Sequence, residues 1–323
     1  MTTTTKVSPS METDDFRLLL TWFRELADEI RNTGTPAEIT SGLACVHHRL
    51  AEVTKDCDIW IPATSLAVFK HLVLIRQWQG NQAVYRSALS VPLDARWLNG
   101  GWSAHMVWEG HPRAQVDVFG RMPRILQHDS RDVYSDEETL ARVKMTRREK
   151  DWPTVHALGE RLITKGDPRG LLFLQRADSL FAAKERCSPE QWAGQAKDRP
   201  LLDCFDGAIQ GTMLAAHLRT EQTFWRQLDH HRMESYREAG KNYAKAAHKL
   251  LNTVSTFAEQ DVILTGLAEE LLPTQPLDHK ADGITSAASE DALANVDPSR
   301  FNPSWLPVGW AKATLESCCR SSA

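Results

Sequence analysis

The hydrophobic pattern of the chain changes near Pro123, and this change constrains the fold more than any other feature. Between Glu38 and Pro123, short apolar runs alternate with turn residues, which predicts short strands with helices between them. After Pro123, apolar residues recur at helical spacing over long segments. We therefore predict an α+β fold, in which a small mixed β-sheet with flanking helices precedes a mainly α-helical C-terminal domain.

The same patterns place the individual elements. A helix is predicted from about Thr13 to Asn32-Thr33-Gly34, where Asn and Gly favour a left-handed cap. Strands are predicted at Ile39–Gly42, Asp58–Ile61, Ala83–Leu93, Trp102–Trp108 and Ala114–Phe119. The turn Asn99-Gly100-Gly101 is predicted to join two of them. Helices are predicted at Leu43–Leu50, Ser65–Gln77, Glu137–Thr164, Leu171–Arg186 and Leu201–Leu272.

These elements suggest four regions along the chain. Residues 1–12 are rich in Thr and are predicted to be disordered, residues 13–130 to form the sheet domain, and residues 131–272 the helical domain. Residues 273–323 are predicted to be a flexible connector and C-terminal tail. The connector, Pro273–Arg300, is rich in Pro, Asp, Ser and Ala, and the segment Phe301–Trp310 is expected to dock as an extended strap.

Composition constrains the ligands and the cellular compartment that we expect for this chain. The net charge of -4 and isoelectric point of about 6.3 argue against a broad basic surface for long nucleic acids. The six cysteines lack the spacings of a zinc ribbon or a disulfide framework, so we expect free thiols in the cytoplasm. Met1–Asp14 lacks the apolar core of a secretory signal, and the most apolar interval, Ile59–Ile75, contains Pro62 and Lys70. We expect no membrane segment.

A pair of acidic residues, Asp56 and Asp58, enters one of the predicted strands. Residues two apart in a strand point to the same face, so both carboxylates project from one side. Such a pair repels itself and is costly to desolvate unless a cation lies between the two groups. Mg²⁺, which binds through one or two carboxylates and substrate phosphates, suits this arrangement.

Two further features lie around this pair. Ser41-Gly42 precedes the predicted short helix, where small residues allow backbone N–H groups to approach a phosphate. Asp117 lies in another predicted strand, which can bring a third carboxylate beside the pair. Together these residues predict a site for a metal ion and a phosphate-bearing ligand.

The segments Ser41–His48 and Thr54–Trp60 resemble motif I of the DNA polymerase β-type nucleotidyltransferase superfamily. In the branch that includes abortive-infection (AbiEii-like) toxins, two small residues are followed by Leu-Ala and, about a dozen positions later, by Thr-x-Asp-x-Asp. Here thirteen residues separate Gly42 from Asp56. Asp117, in Val-Asp-Val-Phe, resembles the third carboxylate of that family.

A third segment, Leu140–Trp152, resembles the helical Lys-x-x-x-Arg-x-Lys-Asp segment that follows the catalytic sheet in the same branch. Lys144, Arg148 and Asp151 lie four and three residues apart, which predicts that they share one helix face. Asp151 is expected to be a structural partner of a nearby base. The chain departs from the family where Ser41 replaces the commoner Gly and Glu52 replaces a frequent Arg.

The resemblance implies a nucleotidyltransferase core and an enzyme that transfers a nucleoside monophosphate from an NTP, such as ATP, to a hydroxyl group. Asp56, Asp58 and Asp117 are then the catalytic residues and the ligands of Mg²⁺ or Mn²⁺. The first two hold the metal ions, and Asp117 completes the second metal site and acts as the base or orients it.

The resemblance also implies roles for four residues that contact the nucleotide. Ser41 and Gly42 are expected to bind the β- and γ-phosphates, and Lys144 or Arg148 to offset charge on the leaving pyrophosphate. The acceptor stays open between a tRNA end, a protein side chain and a small alcohol. If the protein is a toxin of a toxin–antitoxin pair, a cognate antitoxin is also a partner.

Two other interpretations are open. The first is a catalytically inactive module that keeps the fold and acts by interaction. The second is a metal hydrolase that uses the histidines at positions 47, 48, 105 and 111, but no His-Glu-x-x-His motif accompanies them. We interpret the tryptophans at positions 97, 102 and 108, and the polar, aromatic interval Arg219–Tyr243, as packing features and not as a platform for nucleobases.

Overall fold

The structure of the protein is a computed structural model that describes residues 13–126, 128, 132–205, 209–251 and 253–317. The predicted disordered segment, residues 1–12, lies outside the described residues. Among the described residues, no helix combines the length and the apolar character needed to cross a membrane.

A mixed sheet of five strands forms the N-terminal half of the described chain. Its strands are β1 (Glu38–Thr40), β2 (Asp56–Trp60), β3 (Ala83–Tyr85), β4 (Ser103–Trp108) and β5 (Ala114–Phe119). They are arranged in the order β1-β2-β5-β4-β3. Strands β2 and β5 are parallel, and the other neighbours are antiparallel. The parallel pair lies within the sheet, flanked by β1 and β4, and carries the predicted acidic residues.

Helices flank the sheet and make up the C-terminal half. They are α1 (Thr13–Asn32), α2 (Ser41–His47), α3 (Leu66–Ile75), α4 (Ala95–Leu98), α5 (Glu137–Lys144), α6 (Trp152–Thr164), α7 (Ala177–Arg186), α8 (Pro189–Ala196), α9 (Gly211–Leu251), α10 (Phe257–Leu271), α11 (Ala281–Leu293) and α12 (Val308–Ser317). The prediction of an α+β fold with a helical C-terminal part is confirmed.

Two predictions about the sheet are wrong. The strand predicted over Ala83–Leu93 ends at Tyr85, because Ser87 and Ser90 form a turn and Pro92 lacks the N–H group that a strand needs. Asn99-Gly100-Gly101 does not join two strands, since α4 precedes it. The side chain of Asp94 accepts from the N–H of Arg96 and caps this short helix.

The helix predicted over Glu137–Thr164 is interrupted at Met145–Arg148. The Thr146 hydroxyl donates to Asp151 at 2.6 Å and so favours a turn, and Pro153 in the first turn of α6 favours the start of a separate helix. The predicted face shared by Lys144, Arg148 and Asp151 is therefore wrong. Both basic residues reach Asp151 across a turn.

The other long helices also differ from prediction. The segment Leu171–Arg186 is a 3₁₀ turn followed by α7, and Leu201–Leu272 is divided into a 3₁₀ turn, α9 and α10. Pro273–Arg300 is not a bare connector, because it contains α11, whose Ile284 and Ala288 are buried. Phe301–Trp310 docks through a 3₁₀ turn and the start of α12 instead of an extended strap.

Helix α9 connects the helical half to the sheet. Its Tyr236 hydroxyl donates to the carbonyl of Gly100 at 2.8 Å, and its Tyr243 hydroxyl donates to the carbonyl of Ser90 at 2.7 Å. Gly240 of α9 faces the ring of Trp102, where a Cβ atom would lie 3.2 Å from it. These contacts hold α9 beside the loops that border β4.

Candidate functional site

The centre of the sheet carries a polar face. In β2, Asp56 and Asp58 are partly exposed, whereas Cys57 and Ile59, which alternate with them, are completely buried in the core. The alternation follows from the two-residue period of a strand. Asp56 and Asp58 therefore project from the same face, as the sequence predicts.

Strand β5 brings a third carboxylate to this face. Asp117 is the register partner of Asp58 in the parallel pair, and its side chain is mostly buried. The sequence could not show this pairing, because the two residues are separated by much of the sheet domain. The structure thus brings Asp58 and Asp117 side by side, with Asp56 one step further along the same face.

The three carboxylates affect each other's ionisation. Burial raises the pKa of Asp58 to about 6, and the charges of Asp117 and Asp56 add to the effect. The Ser41 hydroxyl and Lys144 act in the opposite direction but do not cancel it. Nearby groups therefore do not fully offset the burial of Asp58 beside two other carboxylates.

Ser41 and Gly42 form the turn between β1 and α2. Ser41 has a φ of 56°, a left-handed conformation in which Gly is less strained, and its hydroxyl hydrogen-bonds to Asp58. A Cβ atom at Gly42 would lie 2.4 Å from the Thr54 hydroxyl oxygen. A small residue at position 42 therefore lets this turn pack against the segment that leads into β2.

Lys144 and Arg148 occupy different positions. Lys144 is buried, and its charge lowers the pKa of Asp58. Its Nζ atom lies 3.9 Å from Asp151. Arg148 is half exposed, and its Nε donates to Asp151 at 2.8 Å. Asp151 is thus a partner of both bases, as expected, and joins the two residues near the site.

Two residues that sequence reasoning did not assign to this site contact Asp117. Arg86 Nη2 donates to Asp117 Oδ1 at 2.5 Å, and His105 Nδ1 lies 2.8 Å from the same oxygen. Burial alone would raise the pKa of Asp117, but these two contacts outweigh it and hold the pKa below its usual range. The antiparallel register pairs His105 with Asp117. Arg86 follows the short β3, and no sequence signal marks it.

His105 also contacts a hydroxyl group. Its Nε2 atom lies 3.1 Å from the oxygen of Ser103, two residues earlier in β4. Ser103, His105 and Asp117 therefore form a continuous chain of polar contacts across two strands. A signal for this chain exists in the sequence, because Ser103 and His105 must share a face of any strand that contains both.

The other candidate residues serve packing or lie at the surface. Trp97, Trp102 and Trp108 are all buried, in agreement with the prediction. His47 stacks on Tyr134, with ring centroids 4.1 Å apart. His111 is almost fully exposed.

The chemistry of the acidic face suits a hard cation. Carboxylate oxygens are preferred ligands of Mg²⁺ and Mn²⁺, and a cation beside Asp58 would offset the burial and neighbouring charges that raise its pKa. Both protein contacts of Asp117 involve Oδ1. Among the described residues, three or more acidic, His or Cys side chains do not converge as a complete metal-binding group. Mg²⁺ usually needs fewer protein ligands, because substrate phosphates and water complete its shell.

Comparisons with models of protein families, with curated proteins and with solved structures found no match for this chain.

Proposed function

We propose that this protein is a Mg²⁺-dependent nucleotidyltransferase, which transfers a nucleoside monophosphate from an NTP to a hydroxyl acceptor. One observation carries the proposal: the three separate segments that resemble the nucleotidyltransferase superfamily meet at one face of the sheet. The pKa of Asp58 responds to one group from each segment, namely Ser41, Asp56 and Lys144, which span more than a hundred positions of the chain. It responds also to Asp117, the residue that resembles the family's third carboxylate. Chance resemblances in separate segments would have no reason to converge.

Each residue has a task that follows from its position. Asp56, Asp58 and Asp117 would hold the metal ions, which orient the triphosphate and lower the pKa of the attacking hydroxyl when bound. Ser41 donates to Asp58 and keeps one carboxylate oxygen oriented. Gly42 allows the turn to lie close to the strand entry, where a phosphate would approach.

Two basic side chains compensate the negative charge of Asp117, and a third compensates part of the charge of Asp58. Arg86 and His105 hold Asp117 ionised in a largely buried position, which suits a ligand of a cation. Lys144 compensates part of the charge on Asp58. Because Lys144 is buried beside Asp151, we assign it to compensating the charge of the carboxylates and not to contacting the leaving pyrophosphate. Arg148 is half exposed, so it is more accessible than Lys144 to a phosphate group of the nucleotide.

Removal of a metal-binding carboxylate tests the proposal. The protein is incubated with Mg²⁺, α-labelled NTPs and a cell extract, and label is followed into nucleic acid, protein and small molecules. Asp58→Ala is expected to reduce transfer by about 100- to 1000-fold, because it removes a carboxylate that would hold the charge-stabilising metal ions. The matched control is Asp203→Ala, which removes an exposed carboxylate from a 3₁₀ turn of the helical half. Full activity in Asp58→Ala, with an unchanged far-UV spectrum, would contradict the proposal.

A non-catalytic interaction module is the second candidate. The observation that favours it is the double contact of Asp117 with Arg86 and His105, which is also how a purely structural carboxylate is held. Calorimetry with Mg²⁺ and each of the four NTPs separates the two candidates. Binding of an NTP that requires Mg²⁺ supports the enzyme, and no heat with any of them supports the module.

The resemblance to abortive-infection toxins extends the proposal to a toxin with a cognate antitoxin. Expression in a bacterial host should then arrest growth, and Asp58→Ala should relieve the arrest. Arrest by both forms would dissociate toxicity from nucleotide transfer.

A further inference from the structure

A buried histidine of the helical half lies at the boundary of two cavities. His217 of α9 is only 3% exposed, and its ring centroid lies 5.3 Å from that of Phe301 and 5.0 Å from that of Trp305. It lines a cavity of about 860 Å³ and a second one of about 620 Å³. Met213, Arg300 and Phe301 also border both spaces. We call the larger space, which lies between α9 and the end of α11, the α9–α11 cavity.

One nitrogen of this histidine is unsatisfied. The Nε2 atom of His217 is buried and has no hydrogen-bond partner among the described residues. Buried polar atoms in folded proteins almost always have a partner, and an unsatisfied one destabilises the fold. A phenylalanine at this position would make the same ring contacts without leaving a polar atom unsatisfied. The retained nitrogen therefore indicates a partner that is not part of the described chain.

Arg300 is a basic group at the same boundary. Its Nε atom lies 3.4 Å from Asp297, but the two side chains are 77% and 54% exposed. Such an exposed pair contributes little to stability, so the guanidinium can bind another anion instead. Asp297 would keep two hydrogen bonds, which it accepts from the N–H and the hydroxyl of Ser299.

The charges of the α9–α11 cavity favour an anionic ligand. Its second acidic residue, Asp291, already pairs with His231 at 2.8 Å. Its second arginine, Arg219, is exposed on α9, and the structure gives it no ion pair among the described residues. Burial lowers the pKa of His217, so its ring is neutral at pH 7 and can donate one hydrogen bond from Nε2.

The remaining wall suits an apolar and aromatic body. Apolar side chains from both helices line it, namely Met213, Ala216, Ala292, Val296 and Phe301. Met213 is 45% exposed, so a ligand in the cavity would cover apolar surface that the chain leaves uncovered. His217 already contacts the ring of Phe301, which shows that an aromatic ring fits beside the imidazole.

We propose that the helical half binds a small carboxylate with an aromatic body in the α9–α11 cavity. The carboxylate accepts from Nε2 of His217 and from the guanidinium of Arg300, and the aromatic body covers Met213. Because Nε2 is buried, the ring of Phe301 must turn aside when the ligand ring enters. The site shares no residue with the acidic face of the sheet, so the inference does not depend on the nucleotidyltransferase proposal.

Calorimetric titration without Mg²⁺ or NTP tests the ligand class. The probes are 3-phenylpropionate, its neutral amide, and octanoate. The wild type should bind 3-phenylpropionate at least about tenfold more tightly than the amide, because hydrogen bonds to a charged acceptor are the stronger ones. Octanoate has the charge without the ring and should bind more weakly than 3-phenylpropionate. No binding of 3-phenylpropionate, or equal binding of any two probes, would overturn the proposal.

A substitution that removes only the nitrogen tests the contact with His217. His217→Phe keeps an aromatic ring and should bind 3-phenylpropionate about tenfold more weakly than the wild type. Without ligand, its unfolding temperature should be at least that of the wild type, because the unsatisfied atom is gone. The matched control, His71→Phe, makes the same change at an exposed position of α3 and should bind normally. Unchanged affinity in His217→Phe, or a lower unfolding temperature, would overturn the proposal.

The contact with Arg300 is tested in the same way. Arg300→Gln should weaken binding of 3-phenylpropionate by about three- to tenfold, since it removes the charge that faces the carboxylate. The matched control is Arg176→Gln, which breaks an ion pair of similar exposure with Asp178 outside both cavities. Equal affinities in the two variants would overturn the contact with Arg300.

Nuclear magnetic resonance of protein labelled with ¹⁵N-histidine locates the ligand. The Nε2 resonance of His217, assigned by its loss in His217→Phe, should take the shift of a hydrogen-bonded N–H when 3-phenylpropionate is added. An Nε2 resonance that does not respond to saturating ligand would place binding elsewhere and overturn the proposal. Asp58→Ala should bind 3-phenylpropionate as the wild type does, so this inference and the proposed function can fail separately.

Discussion

Buried charge in the helical half and Asp58 on the sheet are compensated to different extents. Within the helical half, Arg199 and Glu221 are both at least 97% buried, and the guanidinium contacts both carboxylate oxygens while it also donates to the carbonyl of Leu171. Asp229 is likewise held by Arg124 and Arg232, which outweigh the effect of burial and keep its pKa well below the usual range. On the sheet, Asp56, Asp58 and Asp117 share one face, and the pKa of Asp58 is raised by burial and by the two neighbouring charges.

Under the proposed function, this difference separates groups that hold the fold from groups that would bind a ligand. A buried ion pair with complete hydrogen bonding has no need of a further partner. A buried carboxylate whose neighbours do not offset burial destabilises the protein until a cation binds, and perturbed pKa values accumulate at such sites. We therefore expect effects of different sign and size on the free energy of unfolding from three changes. These are substitution of a paired carboxylate, substitution of Asp58, and addition of a cation.

Truncation of the paired carboxylate should have the largest effect. Glu221→Ala leaves the Arg199 guanidinium buried and unpaired, so we expect a decrease of about 3–5 kcal/mol in the free energy of unfolding. Urea denaturation measures it. Glu234→Ala, which breaks an exposed pair with Arg237, is the control and should change stability by less than about 1 kcal/mol. A similarly small decrease in Glu221→Ala would show that the two halves do not differ in this way.

Removal of the crowded charge should have the opposite sign. Asp58→Asn is expected to stabilise the metal-free protein by about 1–3 kcal/mol above pH 7, because a shift of one pKa unit corresponds to about 1.4 kcal/mol. The folded protein binds the Asp58 proton more tightly than the unfolded chain does, so the stability that this proton contributes is lost as pH rises from about 4 through 6.

The pH dependence provides the control for this variant. At pH 4 the wild type already carries the proton, and the two proteins should then unfold at nearly the same urea concentration. If Asp58→Asn is less stable than the wild type at pH 8 in EDTA, the carboxylate is compensated and the two halves do not differ.

Addition of a cation should have the smallest effect. Mg²⁺ at ten times its dissociation constant should stabilise the wild type by about 1.4 kcal/mol, and Asp58→Asn much less. Thermal unfolding at pH 7.5 with Mg²⁺ or with EDTA measures this effect. Equal stabilisation of both proteins would place the cation elsewhere.

Much of the sheet domain was predictable because its elements are local in origin. The strand prediction at Ala114–Phe119 has the observed ends, and the prediction for α1 has its observed end at Asn32. Both depend on strand alternation or helix caps, which are set by neighbouring residues. The prediction failed where a side chain competes with the backbone. The hydrogen bond from Thr146 to Asp151 interrupts a pattern whose apolar spacing continues unbroken.

The candidate site was only partly predictable for a related reason. Asp56 and Asp58 share a face because of their spacing in one strand, and that inference needs no tertiary information. Arg86 and His105 became neighbours of Asp117 only through strand pairing. A strand pattern does not specify which strands pair or in which register.

The sequence alone determined the change from a sheet to helices, the common face of Asp56 and Asp58, and the short turn at Ser41-Gly42. Each of these depends on the period or the backbone freedom of a few consecutive residues. The tertiary structure decided that Asp117 lies beside Asp58, that Lys144 approaches it, and that His217 borders two cavities of the helical half. These depend on contacts between residues distant in the chain, whose energy is gained only when the whole core packs.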